Sequence, residues 1–242
     1  MKKLALTTIA AISIASGAFA QGFVAWSASP AGSLIGQTNA TTYSSLSASL
    51  GNGQAAGGVT GNTAGGGSVG NTFYYALMIN TTGSQTTAPT TLAGLSSWTY
   101  TGLAMTNGAS NNGRLNPISP ATGSVPYSGS GNENFMLVGW SANIVNSTNV
   151  GAVFTDLNTW STVGGTITGN AFFGVSAVGT LAPSTSNLSP TGLFGANPGQ
   201  INNPSSAAMQ LYLLSVAPTP EPGTMALAAL GGASLLLFRR RK

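Results

Sequence analysis

Between its two ends, this chain has no segment in which apolar residues keep the 3.6-residue period of an amphipathic helix. It has instead short apolar and aromatic runs, bounded by Gly, Pro, Asn, Ser and Thr. Residues 72–79 (TFYYALMI) form a continuous run that fits a strand buried on both faces better than a helix. Residues 134–145 and 171–178 are runs of the same kind. In 209–216, Met209, Leu211 and Leu213 alternate with Tyr212, Leu214 and Val216, again as in a strand. Weaker strand candidates lie at 23–26, 33–50, 98–101, 150–154 and 160–167. Asn107-Gly108 and Asn112-Gly113 are the dipeptides of two-residue hairpin turns, in which both central residues take positive φ. Residues 51–71 are Gly-rich without periodicity and read as a long loop. The pattern predicts an all-β domain, most simply a two-sheet sandwich of jelly-roll type, with a short β-solenoid as the alternative.

That domain is nearly free of charge. Only Arg114, Glu133 and Asp156 fall between residues 21 and 217, a net charge near −1. The +4 of the whole chain therefore belongs to its ends. No basic patch exists to neutralise phosphates, so nucleic acid is excluded as a partner. Histidine and cysteine are both absent. Disulfide staples, thiol chemistry and the usual zinc, copper and haem sites go with them, and no cofactor or metal is expected. The remaining surface is one of hydroxyls and amides, solvated without strong fields. Polar, low-complexity sequence often stays disordered; the aromatic-rich runs argue that this one folds.

The two ends carry addresses. Lys2 and Lys3 precede an apolar run over 4–14, and Ala18-Phe19-Ala20 supplies the small-residue pattern cut by signal peptidase. Residues 1–20 are expected to be a signal peptide for the general secretory route, with Gln21 the first residue of the mature chain. At the other end, Pro220-Glu221-Pro222 precedes an uncharged apolar run over 224–238, followed by Arg239, Arg240, Arg241 and Lys242. Four such cations hold the end on the inner side of a membrane while the run sits in it as a single transmembrane helix. At about 1.5 Å per residue the run spans about 22 Å, short of a hydrocarbon core of roughly 30 Å. That length suits a transient sorting element better than a permanent anchor.

These three parts, in this order, resemble the PEP-CTERM sorting signal of Gram-negative bacteria, over residues 218–242. The resemblance implies that an exosortase in the inner membrane recognises Pro220, Glu221 and Pro222 and removes the tail. It implies that Arg239 to Lys242 set the topology of the segment. The upstream part, residues 21–217, would then reach the cell surface or extracellular matrix in association with extracellular polysaccharide. Passenger regions upstream of such tails share no activity to carry over.

Within the passenger, no motif implies catalysis. Gly65, Gly67 and Gly70 satisfy G-x-G-x-x-G, but a dinucleotide site needs a strand before it and a helix after it, and neither is predicted. Residues 66–70 match G-x-S-x-G, yet a serine nucleophile needs a histidine to take its proton. Glu133 and Asp156 are the carboxylates left for a glycosidase-like pair. They read as ordinary surface residues, at the lip of a strand and in a turn, with a pairing to Arg114 as the simpler role. Calcium at Asp156 with Asn158 has too few carboxylates behind it. Trp26, Tyr74, Tyr75, Trp98, Tyr100, Trp140 and Trp160 would stack on sugar rings if exposed, or pack the core if not. Asn39, Asn80, Asn146 and Asn187 head N-x-S/T sequons, a frequent coincidence at this composition. The reading that follows is a non-enzymatic exported surface protein, with a carbohydrate-binding module using exposed aromatics as the alternative.

Overall fold

A computed structural model of the chain describes residues 20–26, 36–43, 72–107, 115–118, 122–159, 171–195, 197–202 and 209–214. In chain order the elements are β1 (Ala20–Ala25), β2 (Gly36–Tyr43), β3 (Phe73–Asn80), α1 (Leu92–Leu95), β4 (Thr99–Asn107), β5 (Leu115–Pro117), β6 (Thr122–Tyr127) and β7 (Glu133–Ser141). They continue with α2 (Val150–Thr159), β8 (Phe172–Val175), β9 (Gly179–Leu181), β10 (Thr191–Gly192), β11 (Phe194–Gly195), β12 (Ile201–Asn202) and β13 (Met209–Leu213).

The frame is a large sheet ordered β2-β13-β8-β7-β3-β4-β5, with β9 also on β7. At its centre β3 and β7 run antiparallel in unbroken register, from Phe73 opposite Ser141 to Asn80 opposite Asn134. Both strands are apolar through their middle, and β7 is buried from end to end, so both faces of the sheet must be covered. On one face, Tyr75, Leu77, Ile79, Phe135 and Leu137 pack with Val24 of β1 and Val125 of β6. Those strands belong to a small sheet ordered β10-β1-β6. On the other face, Ala76, Met78, Met136, Val138 and Trp140 pack with Leu95 of α1 and with Val150, Val153 and Leu157 of α2. Each fully buried large side chain in these cores is worth about 1.5–3 kcal/mol.

The all-β expectation describes this domain, and its main strands form where the strong apolar runs lie. The main strands lie in two sheets, consistent with a sandwich; among the described residues they are shared unequally between the sheets, where a jelly roll would divide them evenly. The structure departs from expectation at three places. Residues 150–154, expected as a strand, open helix α2. Asn149 caps it: Ala152 N–H donates to Asn149 Oδ1 at 3.1 Å and Val153 N–H to Asn149 O at 3.2 Å. Val150, Val153, Phe154 and Leu157 then share one face, which packs on the large sheet.

Second, β4 runs far beyond the expected 98–101, through a bulge. Leu77 stands opposite residues 101–103, Gly102 has φ of 87°, and Thr101 Oγ1 donates to Leu77 O at 3.0 Å. Third, Asn107 does not occupy a two-residue turn. It is the last paired residue of β4, opposite Leu115, and its Oδ1 accepts from the backbone N–H of Thr72 at 3.0 Å and of Phe73 at 2.8 Å. This side chain caps the start of β3. Residues 33–35 and 44–50 of the expected 33–50 strands, and residues 51–71, 108–114 and 160–167, lie outside the described residues.

Close backbone packing gives one test of this frame. A Cβ on Gly174 of β8 would lie 2.1 Å from Gln210 O of β13, so the neighbouring strands must part to admit it. Gly174→Ala should lower the unfolding free energy by about 3 kcal/mol in urea denaturation. Gly151, in α2, meets only Asn149 Oδ1 at 3.4 Å, and Gly151→Ala should raise stability by up to about 1 kcal/mol.

Candidate functional site

Aromatic side chains are the first candidates for a binding surface, and the fold takes most of them inside. Trp26 and Trp140 are fully buried and Trp98 is 5% exposed. Trp26 Nε1 donates to Ala104 O at 3.2 Å, and its ring lies 5.7 Å from that of Phe194. Trp140 Nε1 donates to Val145 O at 3.0 Å, and its ring stacks on Tyr74 at 6.2 Å. Tyr75 is buried; Tyr74 and Tyr100 are half-buried. The tryptophans Trp26, Trp98 and Trp140 are therefore core, not a sugar platform: Trp26 packs in the cluster under the small sheet, and Trp98 and Trp140 in the cluster under the helices. Trp160 lies outside the described residues.

The two carboxylates occupy different settings from those expected. Glu133 is only 1% exposed, at the start of β7. Its Oε1 accepts from Ser128 N–H at 3.3 Å and Ser128 Oγ at 3.1 Å, across the β6–β7 connection. Its Oε2 is buried without a partner among the described residues, as are Trp98 Nε1 and Asn134 Nδ2. Asp156 is half-buried on α2, a helix where a turn was expected.

Alternation along β7 decides whether the two can act together. Glu133 is in phase with Phe135 and Leu137, which face the small sheet, whereas α2 covers the opposite face. The large sheet stands between them. They cannot flank one glycosidic bond, as a paired acid and nucleophile must. Arg114, the proposed ion-pair partner, lies outside the described residues, as do Gly65, Gly67 and Gly70. Among the described residues no group of three or more acidic or metal-ligating side chains could hold a metal.

The sequons are scattered. Asn80 is buried and donates Nδ2 to Ser97 O at 2.8 Å, which withdraws it from modification. Asn146 is exposed and accepts from Tyr74 Oη at 2.8 Å; Asn187 is exposed; Asn39 sits in β2 opposite Tyr212. Of the processing sites, Ala20 is the first residue of β1 and Gln21 is exposed. Ala18, Pro220, Glu221, Pro222, residues 224–238 and Arg239, Arg240, Arg241 and Lys242 lie outside the described residues. Among the described residues no helix is long and apolar enough to cross a membrane.

The passenger thus assembles no reactive cluster among its described residues, and the functional signal rests on the tail. The family of the PEP-CTERM protein-sorting motif matches residues 218–242. The chain ends in a PEP-CTERM sorting motif. The match covers the tail alone, as the three-part order of Pro-Glu-Pro, apolar run and basic cluster led one to expect. No curated protein and no solved structure matches the chain.

One titrating group in the passenger gives a test of the helical face. Burial pushes the Tyr100 phenol above its ordinary pKa, and a hydrogen bond with Thr148 opposes this. A raised pKa means that the fold favours the neutral phenol. Its contribution to stability is complete below a pH of about 10 and is lost as pH rises through the folded value. The unfolding free energy should fall as pH is raised past about 10, and fall less in Tyr100→Phe, in parallel urea titrations.

Proposed function

We propose that the chain is an exported, non-enzymatic passenger that an exosortase delivers to the cell surface or extracellular matrix by removing its C-terminal segment. The observation that carries this reading is the PEP-CTERM motif at residues 218–242. In this reading Pro220, Glu221 and Pro222 are what the exosortase recognises. Residues 224–238 hold the chain in the inner membrane for the duration of sorting, and Arg239, Arg240, Arg241 and Lys242 keep the end on the inner side. Export begins with a signal peptide over residues 1–20. The lack of histidine and cysteine, and two carboxylates on opposite faces of a sheet, support a passenger without catalytic activity.

Glu221→Ala should leave the tail in place, and the intact mass of the protein recovered from its native host reads this directly. The wild type should start at Gln21 and lack the segment beyond about Pro220; the variant should accumulate in the membrane with its tail. Tail removal at the normal rate in Glu221→Ala would count against recognition of the motif. A wild-type protein found in the membrane with an intact tail would mean a simple anchor.

Association with extracellular polysaccharide fits the surface composition. With buried Trp26, Trp98 and Trp140 unavailable for stacking, contact would be made by many weak hydroxyl and amide hydrogen bonds spread over the surface. Such contact carries no ionic component. Retention of the processed protein on isolated matrix should be unchanged between about 0.05 M and about 1 M NaCl, a range over which ionic adhesion would be screened out. Release by salt would overturn this mode of binding and leave the sorting reading untouched.

A further inference from the structure

The bond that the sequence marks for signal-peptide removal lies within a paired strand of the fold. β1 starts at Ala20, which pairs with Tyr127 of β6; Gln21 pairs with Pro126 and Gly22 with Val125. β6 runs along the whole strand on one side, and β10 flanks only its far end on the other. Val24 and Ala25 pair with Thr191 and Gly192. Phe23 exchanges two backbone hydrogen bonds with Ser184, at 2.7 and 3.0 Å. Val24 and Trp26 are fully buried, and Trp26 ties the strand to β4 through Ala104 O. Gly22 is packed so tightly that a Cβ there would lie 2.4 Å from the Pro183 side chain and 2.9 Å from that of Tyr127. No spacer separates the scissile bond from the strand: Gln21, on its C-terminal side, is already the second residue of β1.

We propose that the fold gates its own N-terminal processing: the Ala20–Gln21 bond is open to signal peptidase only before β1 enters the small sheet. The proposal rests on the reading of residues 1–20 as a signal peptide. A protease engages an extended backbone with free hydrogen-bonding edges, and a native strand reaches that state only through local opening. Around this bond the β6 edge is taken. Freeing it means parting at least Ala20, Gln21 and Gly22 from Tyr127, Pro126 and Val125, and undoing the close packing of Gly22 on Pro183 and Tyr127. Cleavage therefore comes first and closure of the small sheet second. A precursor that folds before it is cut keeps its signal peptide.

The test uses the whole chain, residues 1–242, purified as the uncut precursor, folded in detergent micelles and exposed to signal peptidase. The comparison is Val125→Asp, which places a carboxylate at a 2% exposed position opposite Gly22 and leaves residues 1–26 unchanged. The folded wild-type precursor should be cut at least ~100-fold more slowly than the variant, since cleavage follows the population of the open state. In the same uncut precursor, the amide of Phe23 should be protected from hydrogen exchange. Cleavage of the folded wild type as fast as the variant, or an unprotected Phe23 amide, would overturn the gating. A synthetic peptide of residues 1–30 tests the reading beneath it. If the peptide is cut after Ala20 while both precursors are cut equally fast, the signal peptide stands and the gate falls. If the peptide is not cut there, both fall.

Discussion

Everything in this domain is arranged around one requirement: the β3–β7 ladder must be dry on both faces. Eight consecutive pairs join two strands with almost no polar side chain between Tyr75 and Trp140. A pair of that kind cannot sit at the surface of a two-layer protein. The chain meets the requirement asymmetrically, with a small sheet on one side and two helices on the other. The asymmetry also separates the few polar groups that could act together. Glu133 goes with the small sheet and Asp156 with α2, and the ladder keeps them apart.

The two parts of the chain therefore divide the work. The passenger contributes a folded body whose described tryptophans are packed in its cores, and whose sequence is almost uncharged. The tail contributes the address. Residues 218–242 hold four of the seven basic residues and one of the three acidic ones, in a stretch with its own matching family. Sorting information that resides in a terminal segment leaves the body free to vary in sequence so long as it folds.

The strong strands were legible because their signal is local: an unbroken apolar run bounded by turn residues has few alternatives. Helix α2 was hidden for a physical reason. Val150, Val153 and Leu157 do have helical spacing, but the helix is only ten residues long and its cap, Asn149, sits in an Asn- and Ser-rich stretch that reads as loop. Two β-branched valines tilted the reading toward a strand. The length of β4 was hidden because its bulge at Gly102 breaks the alternation that marks a strand. Asn107 reads as a turn because Asn-Gly is a turn dipeptide, and Glu133 as surface because it is charged; tertiary structure gives both side chains other partners. Asn107 finds backbone N–H groups of β3, and Glu133 finds Ser128. The tail was legible because its recognition depends on order along the chain and needs no tertiary context.

The position of β13 has a consequence for how the protein is made. This strand, the last of the described elements, is inserted between β2 and β8, and pairs Met209 with Gly36. Until residues 209–214 have crossed the membrane, the large sheet has a slot in its interior, and β2 has nothing to join. Contacts that close so long a loop form slowly. The emerging polypeptide must then wait, with the apolar flank of Phe173 uncovered, for its final strand. During that interval the finished domain's own stability offers no protection, because it is absent until the slot is filled.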